Sequence, residues 1–116
     1  MTTTVAGFVG VGSISEAMIL GLCRAQENVF SKIFVSPRSA EKSHALAELF
    51  PAKVFVCSSN QGVLDRCVGG TVFLAVRPQV VEEVCKDLLF DPTHLVISVI
   101  ATKTHEHLLV RVLLRL

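Results

Sequence analysis

Short apolar runs alternate along this chain with segments in which apolar residues recur at the spacing of a helix. Five runs have the length and apolar character of buried strands: residues 5–9, 33–35, 53–57, 71–76 and 95–99. Five segments have helical periodicity: residues 14–25, 39–50, 60–67, 78–89 and 104–114. The prolines agree with this division, because Pro51 ends the second helix and Pro78 suits the first turn of the fourth.

The alternation of strands and helices predicts an α/β fold built on a parallel sheet. Because crossovers between parallel strands are right-handed, such units favour a doubly wound, Rossmann-type sheet with flanking helices. With 116 residues, the chain has the size of one domain. We expect that domain over residues 1–101, followed by an apolar helix over residues 102–116.

Composition narrows the class of protein. Eleven basic and ten acidic residues leave a net charge of +1, which is too balanced for a protein that binds nucleic acid or a membrane surface. The longest uncharged segment, residues 1–15, is too short to span a membrane and lacks the basic start of a signal peptide. The four cysteines form no C-x-x-C pair, so we expect free thiols in a reducing compartment, either the cytoplasm or an organelle matrix.

A glycine-rich turn joins the first strand to the first helix. Its sequence, Gly10-Val11-Gly12-Ser13-Ile14-Ser15, is a variant of the dinucleotide-binding pattern G-x-G-x-x-G. Gly10 permits a tight turn, Gly12 lets a pyrophosphate approach the backbone, and the helix adds free N–H groups and a partial positive charge. The motif predicts a dinucleotide cofactor, and a purely structural turn is the alternative. Ser13 and Glu16 also match a capping box.

The end of the second strand predicts which dinucleotide binds. An NAD site usually has an acidic residue there, which bonds to the ribose 2′-hydroxyl. Here the sequence is Ser36-Pro37-Arg38-Ser39, which contains no acid. Arg38 can pair with a 2′-phosphate, and Ser36 and Ser39 can add hydroxyl groups. Lys42 follows one turn later. The sequence therefore favours NADP over NAD, unless Arg38 is a solvated surface charge.

Three segments resemble the cofactor-binding domain of pyrroline-5-carboxylate reductases. Residues 7–12, GFVGVG, are similar to the family's GFIGxGxM, and residues 73–79, FLAVRPQ, are similar to its FLAVKPQ. Residues 96–101, VISVIA, are similar to a third segment, VISIAAG. The resemblance covers residues 5–109 and implies a dinucleotide-binding domain over residues 1–101. It also implies a two-domain oxidoreductase that uses NAD(P)H to reduce a cyclic imine in proline biosynthesis.

The resemblance implies positions for each part of the cofactor. The pyrophosphate would lie on the glycine turn, the 2′-phosphate at the end of the second strand, the adenosine ribose beside an asparagine, and the nicotinamide-side ribose at the end of the fourth strand. The residues carried over, in that order, are Gly10, Gly12, Ser13 and Ile14; Ser36, Arg38 and Ser39; Asn60; and Ala75, Val76, Arg77 and Pro78.

The chain departs from the family pattern at a few positions. Ile14 replaces the usual Met, Arg77 replaces the commoner Lys, and Thr102 stands where a Gly follows the third motif. In the family, a second, helical domain contacts the substrate and forms the dimer. We therefore expect a cofactor half-site here, with the substrate site belonging to that second domain. We expect homo-oligomerisation through that domain or through the apolar residues 108–116. The catalytic residues stay unassigned.

Other functions stay open on the residues alone. A β-hydroxyacid dehydrogenase or an F420-dependent NADP reductase shares the glycine turn, although residues 73–79 argue against both. A non-catalytic nucleotide-binding or interaction module is the other alternative, to which Ser15 and Thr102 point weakly. No metal site is expected, because His105 and His107 are two positions apart and point in different directions on a helix.

Overall fold

The computed structural model describes residues 4–25, 29–37, 40–76 and 78–99. The strands are β1 (Val5–Val9), β2 (Lys32–Val35), β3 (Val54–Val56), β4 (Thr71–Leu74) and β5 (Leu95–Ser98). The helices are α1 (Ser13–Arg24), α2 (Ala40–Leu49), α3 (Asn60–Arg66) and α4 (Val81–Lys86), and a 3-10 turn over Pro78–Val80 precedes α4. The predicted helix over residues 104–114 and the predicted segment 102–116 lie outside the described residues.

The five strands form one sheet in the order β3-β2-β1-β4-β5, and every neighbouring pair is parallel. This arrangement confirms the predicted doubly wound, Rossmann-type fold. The chain fills one half of the sheet, crosses beyond β1 and then fills the other half. The boundary between β1 and β4 is therefore the topological switch point, where α/β proteins bind ligands beyond the carboxyl ends of the strands.

Two apolar layers enclose the sheet. The layer beneath α1 and α2 consists mainly of Phe8, Ile19, Ile33, Val35, Leu46 and Phe73. The layer beneath α3 and α4 consists mainly of Val9, Val63, Leu64, Val72, Leu74, Val81 and Cys85. Because β1 is buried on both faces, its run of apolar residues is continuous. Each fully buried side chain contributes about 1.5–3 kcal/mol, so the central strands form a rigid base for the site.

The fourth helix is shorter than predicted. The sequence predicts a helix over residues 78–89, but the segment starts as a 3-10 turn and α4 ends at Lys86. Its end has a physical cause in α3, where the Gln61 side chain holds both backbone groups of Leu89. Gln61 Oε1 accepts a bond from Leu89 N at 2.9 Å, and Gln61 Nε2 donates to Leu89 O at 3.1 Å. These bonds replace helical ones and draw the chain away from the helix axis.

Among the described residues, no helix is long and apolar enough to cross a membrane.

Candidate cofactor-binding site

Gly10 brings the ends of β1 and β4 together at the switch point. Its φ of +97° lies in the left-handed region that favours glycine. A Cβ at this position would lie 2.8 Å from the carbonyl carbon and oxygen of Ala75 and 2.9 Å from the nitrogen of Val76. Any side chain would therefore strain the turn and push the two strand ends apart. Position 10 therefore requires glycine for two reasons: its φ is positive, and the backbone of Ala75 and Val76 leaves no room for a Cβ.

Three buried serines hold this turn in place. Gly10 N donates to Ser36 Oγ at 2.9 Å, and Ser15 Oγ donates to Gly10 O at 2.9 Å. Ser43 Oγ donates to Ser36 O at 2.8 Å. Each of the three serines is fully buried. One side chain from α1 and one directly after β2 thus satisfy both backbone groups of Gly10, and Ser43 ties α2 to the same point.

The structure gives Ser36 a different place from the one expected. The sequence suggested a hydroxyl that contacts the 2′-phosphate. Instead, the side chain is fully buried, and its oxygen accepts the N–H of Gly10. Ser36 therefore positions the glycine turn, and its contact with a 2′-phosphate stays a prediction.

The start of α1 is open. Gly12 is its N-cap, in an extended conformation and with no side-chain capping bond. The capping box predicted from Ser13 and Glu16 is wrong, because Ser13 is already the first residue of the helix. A Cβ at Gly12 would meet no atom within 4 Å. The start of α1 therefore has no side-chain cap and has open space beside Gly12, which is the arrangement that binds a phosphate.

A cation lies beside this opening. Lys42, in the first turn of α2, places its Nζ 3.3 Å from Ser13 Oγ. Ser13 and Ile14 are both exposed, Ile14 at 59%. The start of α1 and the Lys42 ammonium group therefore lie together at the surface, next to the glycine turn.

The other predicted cofactor residues follow the carboxyl ends of β3 and β4. Asn60 is half-buried and opens α3, and Ala75 is half-buried directly after β4. Val76 is buried, 8% exposed, and Pro78 begins the 3-10 turn. In a parallel sheet these ends lie along one edge, the same edge as Gly10. Three predicted positions, Arg38, Ser39 and Arg77, lie outside the described residues.

The cysteines are structural. None of the four forms a disulfide, as expected, and Cys57, Cys67 and Cys85 are buried. Burial, with a smaller contribution from the neighbouring Cys57, raises the pKa of Cys67 to about 12. Burial also raises the pKa of Cys57 above its ordinary value. Because only a thiolate is a nucleophile, these protonated thiols are unsuited to covalent catalysis.

The described residues contain no group of three or more His, Cys, Asp and Glu side chains that could hold a metal ion.

Two serines contribute to the site beyond the roles that the sequence predicts for them. The sequence predicts Ser15 only as a small residue of the turn, yet its hydroxyl donates to Gly10 O. Ser43 is not among the predicted site residues. One signal was available for Ser43, because it lies three positions before the fully buried Leu46, on the face of α2 that packs against the sheet. A polar residue at a core-facing position has to find a hydrogen-bond partner, and here that partner is the end of β2.

A solved structure and a family model both match this chain. A solved structure of 1-pyrroline-5-carboxylate reductase from Streptococcus pyogenes matches with a TM-score of 0.73 at 28% identity. The match covers 95% of this chain and 39% of that one, so the chain spans about two fifths of the length of that relative. No curated protein matches the chain. A family model described as NADP oxidoreductase, coenzyme F420-dependent, matches residues 5–102, and the chain therefore belongs to this family of NAD(P)-binding oxidoreductase domains.

Proposed function

We propose that this chain is the NADP-binding domain of a reductase of the pyrroline-5-carboxylate type. The observation that carries the proposal is the open, uncapped start of α1 behind a glycine turn at the switch point. The cyclic-imine substrate rests on the likeness to the Streptococcus pyogenes enzyme and on residues 73–79. In such a reaction the nicotinamide supplies a hydride to the imine carbon.

The chain's own residues bind and orient the cofactor. The free N–H groups after Gly12 would hold the diphosphate, since a helix N-terminus attracts negative charge. Gly10 keeps the ends of β1 and β4 in contact, so Ala75 and Val76 form the edge on which the nicotinamide half would rest. The buried serines fix this frame before the cofactor arrives. Their contribution is preorganisation, which lowers the entropic cost of binding.

The preference for NADP rests on charge. The chain has no acidic residue at residues 36–39 that would repel a 2′-phosphate, and it has Arg38 and Ser39 there. A charge-assisted hydrogen bond is worth about 1.5–3 kcal/mol, which is roughly a 10- to 150-fold gain in affinity. We expect Arg38→Ala to lose most of the preference for NADPH over NADH.

Titration calorimetry with NADPH and NADH tests the proposal, and Gly12 offers a sharp variant. A valine at Gly12 would meet no protein atom at its Cβ and would keep a favourable φ of −98°. We expect Gly12→Val to retain its melting temperature and to bind NADPH at least about 10-fold more weakly, because the side chain blocks the diphosphate. Absence of binding by the unaltered chain would refute the assignment.

A second candidate is a reductase that exchanges hydride between NADP and coenzyme F420, which the family description favours. Assays of NADPH oxidation with pyrroline-5-carboxylate or with oxidised F420 separate the two. If the enzyme turned over only oxidised F420, coenzyme F420 would replace the cyclic imine as the proposed substrate. Nucleotide binding without turnover of either compound would favour the binding module instead.

A further inference from the structure

We propose that Lys42 binds the cofactor's diphosphate and thereby sets affinity for NADP and NAD alike, whereas preference between them belongs to Arg38. The inference rests on the proposed function, because it assigns a role within the same nucleotide site. It concerns a residue of α2, an element that the glycine motif itself does not include.

The position of the ammonium group is the first argument. Lys42 Nζ lies 3.3 Å from the hydroxyl of Ser13, the first residue of α1. Phosphates bound by a glycine turn lie against this first helical residue. The partner hydroxyl is neutral, and the described residues place no carboxylate within ion-pairing distance of Lys42. The positive charge is therefore left available for an anion at the turn.

The local charge balance is the second argument. The first turn of α1 also contains Glu16, whose carboxylate would oppose a diphosphate. A cation at the same helix end offsets that repulsion. A lysine is suited to this task, because its ammonium acts as a point charge on a long, flexible stem, and Lys42 as a whole is half-buried.

The anchoring of α2 is the third argument. Ser43, the next residue, is fully buried and donates to Ser36 O at 2.8 Å. Ser36 in turn accepts the N–H of Gly10. Two hydrogen bonds thus fix the first turn of α2 relative to the glycine turn, and Lys42 is held next to the helix start that it serves.

Two probes separate the diphosphate from the 2′-phosphate. ADP contains a diphosphate and no 2′-phosphate, whereas adenosine 2′-monophosphate contains only the latter. We expect Lys42→Met to lower the affinity for ADP, NADH and NADPH by the same factor, about 10-fold. The affinity for adenosine 2′-monophosphate should stay unchanged. Arg38→Ala should weaken the binding of NADPH and adenosine 2′-monophosphate and leave the binding of ADP and NADH unchanged. Lys42→Arg retains the charge and should recover most of the affinity.

The control is Lys86→Met, which removes the same charge from an exposed position in the last turn of α4. That turn lies away from the carboxyl ends of the strands, so binding of all four ligands should stay unchanged. Loss of NADPH affinity alone in Lys42→Met would overturn the inference and assign Lys42 to the 2′-phosphate. Unchanged binding of every ligand would overturn it as well. Failure of the unaltered chain to bind any nucleotide would instead refute the proposed function.

Discussion

At the scale of single residues, the site depends on the hydrogen bonds of the Gly10 backbone. Its N–H donates to the Ser36 hydroxyl, its carbonyl accepts from the Ser15 hydroxyl, and both serines are buried. An unsatisfied buried polar group costs about 1–3 kcal/mol. The serines therefore stabilise the fold as well as the geometry that a ligand would meet.

Ser36→Ala tests this at one atom. The substitution leaves Gly10 N without its acceptor in a buried place, so we expect the free energy of unfolding to fall by about 1–3 kcal/mol. NADPH affinity should fall with it, because the glycine turn loses its anchor. Urea denaturation and calorimetry measure the two effects. Ser58→Ala, at an exposed position beyond β3, is the matched control and should change stability by less than about 0.5 kcal/mol.

Asp91, in the loop before β5, is expected to make the stability of the protein depend on pH. Hydrogen bonds from the Thr93 hydroxyl and backbone N–H lower the pKa of the Asp91 carboxyl. A carboxyl whose pKa is depressed in the folded state stabilises the protein above the unfolded pKa, about 3.9, and loses that contribution as the pH falls through the folded pKa. We expect stability to decline below about pH 4, and Asp91→Asn to have a smaller decline over the same range. An unchanged pH profile in the variant would contradict the assignment.

At the scale of elements, the strands could be predicted and some boundaries could not. Each strand appears in the sequence as an apolar run, and the glycine turn predicts where β1 ends and α1 begins. The early end of α4 could not be predicted, because it depends on Gln61, which lies 28 residues from Leu89. The role of Ser36 was hidden for the same reason, since its partner Gly10 is 26 residues away on a neighbouring strand. Local patterns predict elements, whereas contacts between elements decide where helices stop and which way hydroxyls point.

The bond between α3 and the end of α4 can be tested directly. Gln61→Ala removes both bonds to Leu89, so we expect the Leu89 amide to exchange with solvent deuterium at least about 5-fold faster, since one hydrogen bond is worth about 1 kcal/mol. Gln61 Nε2 also bonds Asp65 Oδ1 at 3.0 Å. Asp65→Ala removes only that bond and is the control. Equal exchange in all three proteins would show that Gln61 does not hold the segment.

At the scale of the whole molecule, Cys67 reports on the folding of both halves of the sheet. Its Sγ packs against the bare backbone of Gly7 in β1, at a place where a Cβ would lie 2.6 Å away. With a pKa of about 12 and no exposed surface, this thiol reacts only when the domain opens. Alkylation of Cys67 therefore measures opening of the molecule.

Cofactor binding should slow that alkylation. A ligand that binds only the folded state stabilises it by RT ln(1 + [L]/Kd), about 2.7 kcal/mol at 100 times Kd. We expect NADPH at that concentration to slow the labelling of Cys67 by iodoacetamide about 100-fold, as mass spectrometry of the peptides would show. The partly exposed Cys23, near the end of α1, should respond much less, because it reacts without global opening. Gly12→Val should reduce the protection at the same NADPH concentration from about 100-fold to about 10-fold or less, while leaving the labelling rate without cofactor unchanged. Equal protection in this variant would mean that the nucleotide stabilises the domain from a site other than the glycine turn.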